Sequence, residues 1–246
     1  METRFRKGKQ GTIQFMSSLS TSNSSSSSCN FTSEHHLGDL IDEVCEKYAQ
    51  RIAVIEDRQN RISYEKLANR TNGFARTLIE NGVKPGDRVG IYFLNHPDYI
   101  VAFLAILKVG ACVVPVNPLL KINEINHILS DSESTFLVAQ GKLLENFERF
   151  EEISSTLKNV FVVDDRVLSI EIPVNSCLLS VTELDTVKHP SLANLRGEEN
   201  LAVLVYTSGT TGNPKGAMLG HHNLSSAIHM KRDRFIVKED DCVLSV

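Results

Sequence analysis

The chain has 246 residues, 41% of them hydrophobic and 23% charged, the balance of a globular protein long enough to bury a sizeable core in one large or two small domains. Its 26 Lys and Arg stand against 30 Asp and Glu. Four of those bases and one acid fall in residues 1–33, which leaves residues 34–246 at net −7. A body that acidic argues against nucleic acid as a partner.

Residues 1–33 are expected to form a disordered tail. Nine of the twelve residues from Ser17 to Ser28 are serine, which leaves little to bury. The segment is basic and almost free of acids, so organelle targeting stands as an alternative to a plain solvated tail in a cytoplasmic protein. From Leu37 helix and strand patterns alternate. Leu40, Ile41, Val44 and Tyr48 share a helical face, and Ile52 to Glu56 reads as a strand. Ser63 caps a predicted helix that carries Leu67, Phe74 and Leu78 and ends at Asn81-Gly82. Pro85-Gly86 makes a turn, and Arg88 to Leu94 is a strand.

Tyr99 to Val116 holds 18 residues with one charge, yet Lys108, Gly110 and Pro115 divide it. The pattern predicts a helix that starts near His96 and stops at Gly110, followed by a buried strand, and not a membrane span. A helix from Lys121 to Leu129, a strand from Thr135 to Ala139, an amphipathic helix from Lys142 to Leu157 and a strand from Val160 to Asp164 follow. After a less regular stretch come the apolar strand Leu201 to Tyr206 and a helix from Asn223 to Phe235. Strands spaced by helices of this length predict the α/β class, with parallel-rich sheets flanked by helices on both faces. The five cysteines make no C-x-x-C pair and are odd in number, which fits reduced thiols in an intracellular compartment.

The chemistry concentrates in "YTSGTTGNPKGAML", which follows the apolar strand directly. In a parallel sheet, ligands bind beyond the carboxyl ends of the strands. Gly209 and Gly212 let backbone N–H groups approach an anion, and Thr207, Ser208, Thr210 and Thr211 add hydroxyl donors. Asn213 and Pro214 lead to Lys215, a full positive charge, and Gly216 follows. Such an array suits a polyphosphate. It is neither a Walker loop nor G-x-G-x-x-G. His221 and His222 are read as adjacent histidines at a strand end that point oppositely, with no neighbour to complete a metal site.

These residues, Thr207 to Gly216, with His221, Asn223 and Leu224 behind them, resemble the phosphate-loop signature of the adenylate-forming (AMP-binding) superfamily. The family usually has Ser or Thr where Gly220 stands before the histidine. The stretches "ISYEKLANRTNGFARTLIENGVKPGDRVGIYFLN", "AFLAILKVGACVVPVNP" and "EINHILSDSESTFLV" are also similar to the family's opening region. The resemblance runs from about residue 37 to 246 and is strongest to the acyl-CoA synthetase branch, including fatty-acyl and coumaroyl-type ligases.

The resemblance implies that residues 34–246 are the N-terminal part of an AMP-binding domain. It implies ATP, Mg²⁺ and coenzyme A as cofactors and a small carboxylic acid as substrate. Residues 207–216 would hold the ATP phosphates, with Lys215 in a catalytic role, and His221 would be structural or near the acyl pocket. The family's aromatic-Gly-x-Thr-Glu and Thr-Gly-Asp runs do not occur in the sequence, so the chain is read as a fragment inactive on its own. A non-catalytic ATP- or phosphate-binding module, or one that only mediates protein association, remains the alternative.

Overall fold

The computed structural model describes residues 13–16, 36–57, 60–144, 156–163, 176–179, 184, 188–189, 191–197, 200–207, 214–234 and 241–245. In chain order these form β1 (Ile13–Met16), α1 (Leu37–Lys47), β2 (Ile52–Ile55), β3 (Arg61–Ser63), α2 (Tyr64–Glu80), β4 (Arg88–Tyr92), α3 (Pro97–Lys108) and β5 (Cys112–Val116). Then come α4 (Ile122–Asp131), β6 (Phe136–Gln140), α5 (Gly141–Leu144), β7 (Asn159–Val163), β8 (Ser176–Leu179), β9 (Leu201–Thr207), β10 (Lys215–Gly220), α6 (His221–Arg234) and β11 (Cys242–Ser245).

The helix ends follow local chemistry. Ser63 Oγ accepts the Lys66 N–H at 3.1 Å and starts α2. His96 does the same for α3, accepting the Asp98 N–H at 3.2 Å, with Pro97 in the first turn. Gly110 stops that helix at φ +72°, where the Ala111 N–H reaches back to the Ile106 carbonyl at 3.1 Å. A Cβ there would lie 2.9 Å from the Leu195 backbone, so both the turn and the packing call for glycine.

A seven-stranded sheet in the order β10-β9-β5-β4-β6-β7-β8 forms the centre. Every neighbouring pair is parallel except β9 and β10. Side chains alternate between two apolar layers. Val89, Ile91, Val113, Val138 and Phe161 pack with Leu40, Phe74, Ala102 and Ile106 of α1, α2 and α3. Val114, Leu137, Ala139 and Val162 pack with Ile125, Ile128 and Leu129 of α4. Both faces of the sheet are therefore covered, as expected for parallel strands read as continuous apolar runs. Lys108 is almost fully buried and meets both oxygens of Asp42, at 2.7 and 2.6 Å, which ties α3 to α1.

Three features depart from the sequence reading. Ile13–Met16, inside the stretch expected to be unstructured, form β1, which pairs antiparallel with β2 and β11. Three of its four residues, Ile13, Phe15 and Met16, are apolar, and Ile and Phe favour strands. The helix expected to run to Leu157 does not reach it. Thr156 Oγ1 donates to the Ser134 carbonyl at 3.1 Å and Lys158 N to the Thr135 carbonyl at 2.7 Å, which turns the chain into β7. Residues 145–155 of that helix lie outside the described residues. Lastly, Lys215–Gly220 form an antiparallel strand that the loop-centred reading did not separate from the loop.

Candidate functional site

Because β9 runs parallel to β5, with Val113 opposite Val203, its carboxyl end lies on the same sheet edge as those of β4, β5 and β6. The chain returns along β9 as β10, with Lys215 opposite Thr207 and Gly216 opposite Tyr206. Thr207 and Lys215 are both exposed at that edge. Ser208, Gly209, Thr210, Thr211, Gly212 and Asn213 lie outside the described residues. The structure therefore brings the two flanks of the loop together at the position the sequence reading assigned to it.

The flanks touch helix α4. His127 Nε2 donates to the Pro214 carbonyl at 3.1 Å, which requires the proton on Nε2. One turn further on, the Tyr206 hydroxyl donates to Asp131 Oδ2 at 2.6 Å. Burial, and then the Asp131 carboxylate, push the Tyr206 phenol well above its ordinary range, so it remains a donor. The ring lies against Gly216, where a Cβ would come within 3.0 Å of it. Sequence reasoning missed His127 and Asp131. Their spacing of i and i+4 is a helix-face signal, but nothing local says what the face meets.

Behind the hairpin, residues 191–197 are tied to α1 before they feed β9. Asn194 Nδ2 donates to Asp39 Oδ1 at 2.8 Å and to Asp42 Oδ2 at 3.0 Å, and Arg196 Nη2 donates to Asp39 Oδ2 at 3.0 Å. The Leu195 N–H reaches the Lys108 carbonyl at 2.8 Å.

His221 is the first residue of α6 and not the end of a strand; β10 stops at Gly220. Asn223 Oδ1 accepts the Gly220 N–H at 2.8 Å and favours the turn into helix there. The His221 side chain is buried, stacks on His36 with ring centroids 3.6 Å apart, and its Nδ1 accepts the Leu37 N–H at 3.4 Å. His36 Nδ1 accepts the Gly38 N–H at 3.2 Å, so both rings are neutral with the proton on Nε2. This stack joins the start of α1 to the far end of the hairpin. His222 is exposed. Among the described residues no group of three or more His, Cys, Asp and Glu could hold a metal ion. No helix among them is long and apolar enough to cross a membrane.

Burial, then the His36 ring and Arg196, lower the His221 pKa from 6.5 to about 4, while Asp39 opposes them. The unfolded chain takes up this proton nearer pH 6.5, so folding disfavours the charged form. The contribution is intact above that pH and is lost as pH falls from 6.5 through 4. Urea unfolding of the wild-type chain and His221→Gln at pH 7.5 and 4.5 is expected to show a smaller loss of stability on acidification in the variant. An equal loss in both would contradict it.

The sequence model of the AMP-binding enzyme family matches residues 41–246. The chain belongs to this family. Relatives of the AMP-binding chain include crotonobetaine/carnitine–CoA ligase of Escherichia fergusonii, 28% identical over 86% of this chain and 41% of the relative. Tyrocidine synthase 3 of Brevibacillus parabrevis is 29% identical over 85% of this chain and 3% of that protein. The chain thus spans about two fifths of the CoA ligase it matches. A solved long-chain-fatty-acid–CoA ligase of Archaeoglobus fulgidus shares 30% identity at a TM-score of 0.64, covering 80% of this chain and 39% of its own. An anthranilate CoA ligase crystallised with anthranoyl-AMP shares the fold at a TM-score of 0.66 and 23% identity, over 78% of this chain and 36% of that one. Both overlaps place this AMP-binding chain on a minority of the longer enzyme, and the α/β architecture is that of the family.

Proposed function

We propose that the chain carries the phosphate-gripping part of an ATP-dependent acid–thiol ligase. Such an enzyme joins a small carboxylic acid to AMP, releases pyrophosphate, and passes the acyl group to a thiol such as that of coenzyme A. The observation that supports this most is the β9–β10 hairpin: Thr207 and the Lys215 ammonium are paired in register and exposed at the carboxyl edge of a parallel sheet. Ligase names among the relatives favour a catalytic protein over a bare nucleotide binder.

In the first step a carboxylate oxygen attacks the α-phosphorus of ATP, and the bond from that phosphorus to the bridging oxygen breaks. The carboxylate, with a pKa of about 4, is already ionised near neutral pH, so no general base is required. What must be managed is charge on the departing pyrophosphate. Lys215 would neutralise part of it, the Thr207 hydroxyl would orient it, and residues 208–213 would add amide and hydroxyl donors. His221, locked under α1, would hold the hairpin and not touch the acyl group. Mg²⁺, when bound, would be shared among the phosphates and would neutralise part of the same charge.

If the hairpin grips phosphates, tripolyphosphate and MgATP should both bind the wild-type chain in a calorimetric titration. Absence of binding by either would overturn the assignment. The Tyr-Gly-x-Thr-Glu and Thr-Gly-Asp runs through which the resemblance implies contact to adenine and ribose do not occur in residues 1–246. Acid-dependent ATP–pyrophosphate exchange by the chain alone is therefore expected to stay at background, and robust exchange would refute this inactivity.

A further inference from the structure

The contacts between α4 and the hairpin bear on how the site is aimed. The helix is the crossover between β5 and β6, fixed by Ile125, Ile128 and Leu129 in the apolar layer that also holds Val114, Leu137 and Val162. Its partly exposed side carries His127 and Asp131, one turn apart. His127 takes the carbonyl of Pro214, the residue that immediately precedes Lys215. Asp131 takes the hydroxyl of Tyr206, the residue that immediately precedes Thr207. A single helix face thus holds both flanks of the loop, one through backbone and one through side chain. Gly216 leaves room for the Tyr206 ring between them.

We propose that His127 and Asp131 are positioning residues: through Pro214 and Tyr206 they fix where the Lys215 ammonium and the Thr207 hydroxyl stand relative to the sheet edge. Neither side chain touches the phosphate. The consequence is a preformed cation whose location is set by α4 as well as by the strand ladder. A displaced ammonium loses the distance and alignment that a charge-assisted hydrogen bond to an anion needs, so its grip weakens by about the worth of one hydrogen bond. This inference rests on the hairpin being a phosphate grip, so the experiment must separate the two.

The test uses the whole 246-residue chain and the variants His127→Ala, His127→Gln, Tyr206→Phe and Lys215→Ala. Tripolyphosphate is the probe, and hydrogen exchange of the backbone amides in β9 and β10 is read without any ligand. His127→Ala and Tyr206→Phe are expected to speed exchange at 205–207 and 215–217 several-fold and to raise the tripolyphosphate Kd by about 3- to 10-fold, the loss of one hydrogen bond each. Exchange in β4 and β6 should not change, which excludes general loosening of the fold. His127→Gln keeps a donor and should recover most of the affinity, an outcome that loss of packing alone would not produce. If Lys215→Ala leaves Kd unchanged, the phosphate reading of the hairpin fails. If Lys215→Ala weakens binding but the His127 and Tyr206 variants alter neither exchange nor Kd, the phosphate reading stands and the positioning role is overturned. Faster exchange with unaltered Kd would overturn it equally, because α4 would then steady the hairpin without aiming the charge.

Discussion

Lys215→Ala is expected to weaken tripolyphosphate and MgATP binding by about 10- to 100-fold. The variant removes a charge-assisted hydrogen bond of the kind worth roughly 1.5–3 kcal/mol, and each 1.4 kcal/mol is tenfold in Kd. The residue is exposed, so its attraction is screened by salt. Wild-type affinity should therefore fall as ionic strength rises from 0.05 to 0.5 M (about a threefold shorter Debye length), and the variant should respond less. Lys215→Arg keeps the charge but spreads it over a planar fork, and should retain part of the affinity. Titration calorimetry at two salt concentrations makes the comparison. Unaltered binding in Lys215→Ala would mean that the cation serves only the hairpin. In a longer protein with the remaining motifs, the same substitution should lower kcat for adenylate formation by about 10²–10³, the scale seen when one preorganised donor to a developing anion is lost.

Phe74→Ala is expected to destabilise the fold by about 3–5 kcal/mol, the loss typical of a truncated buried aromatic. Phe74 is 2% exposed on α2 and meets Phe161 of β7 edge-on, with ring centroids 6.2 Å apart. Phe136 stands 6.3 Å from the same Phe161 ring, so one truncation opens space beneath two strands. Urea unfolding followed by circular dichroism should show a lower midpoint with an unchanged slope. Phe74→Leu, which leaves a smaller void, should cost markedly less. A loss under about 1 kcal/mol in Phe74→Ala would mean that the layer collapses around the gap.

Most of the fold was legible because its elements are marked locally. Ser63, Asn81-Gly82, Pro85-Gly86 and Gly110 each act through a capping bond or a left-handed turn, and each lies where the pattern put a boundary. The all-apolar strands told of a sheet covered on both sides. The order of the strands was not legible: β9 sits beside β5, nearly ninety residues away in sequence, and no local signal encodes that pairing. That Thr207 and Lys215 flank a loop at the carboxyl edge of the sheet was legible from the apolar strand that runs into it. His127 and Asp131 were not, because their meaning comes from hairpin residues 87 and 75 positions downstream. His221 was read as a strand end because two adjacent histidines carry no helix signal. The turn is set instead by Asn223 and by the stack on His36.

The reversal from parallel to antiparallel pairing at β9 has a thermodynamic consequence. Neighbouring strands stand about 5 Å apart, so the six residues from 208 to 213 start and finish on anchors that the sheet has already brought together. The entropy of bringing those two ends together is met once, on folding, by the strand ladder itself.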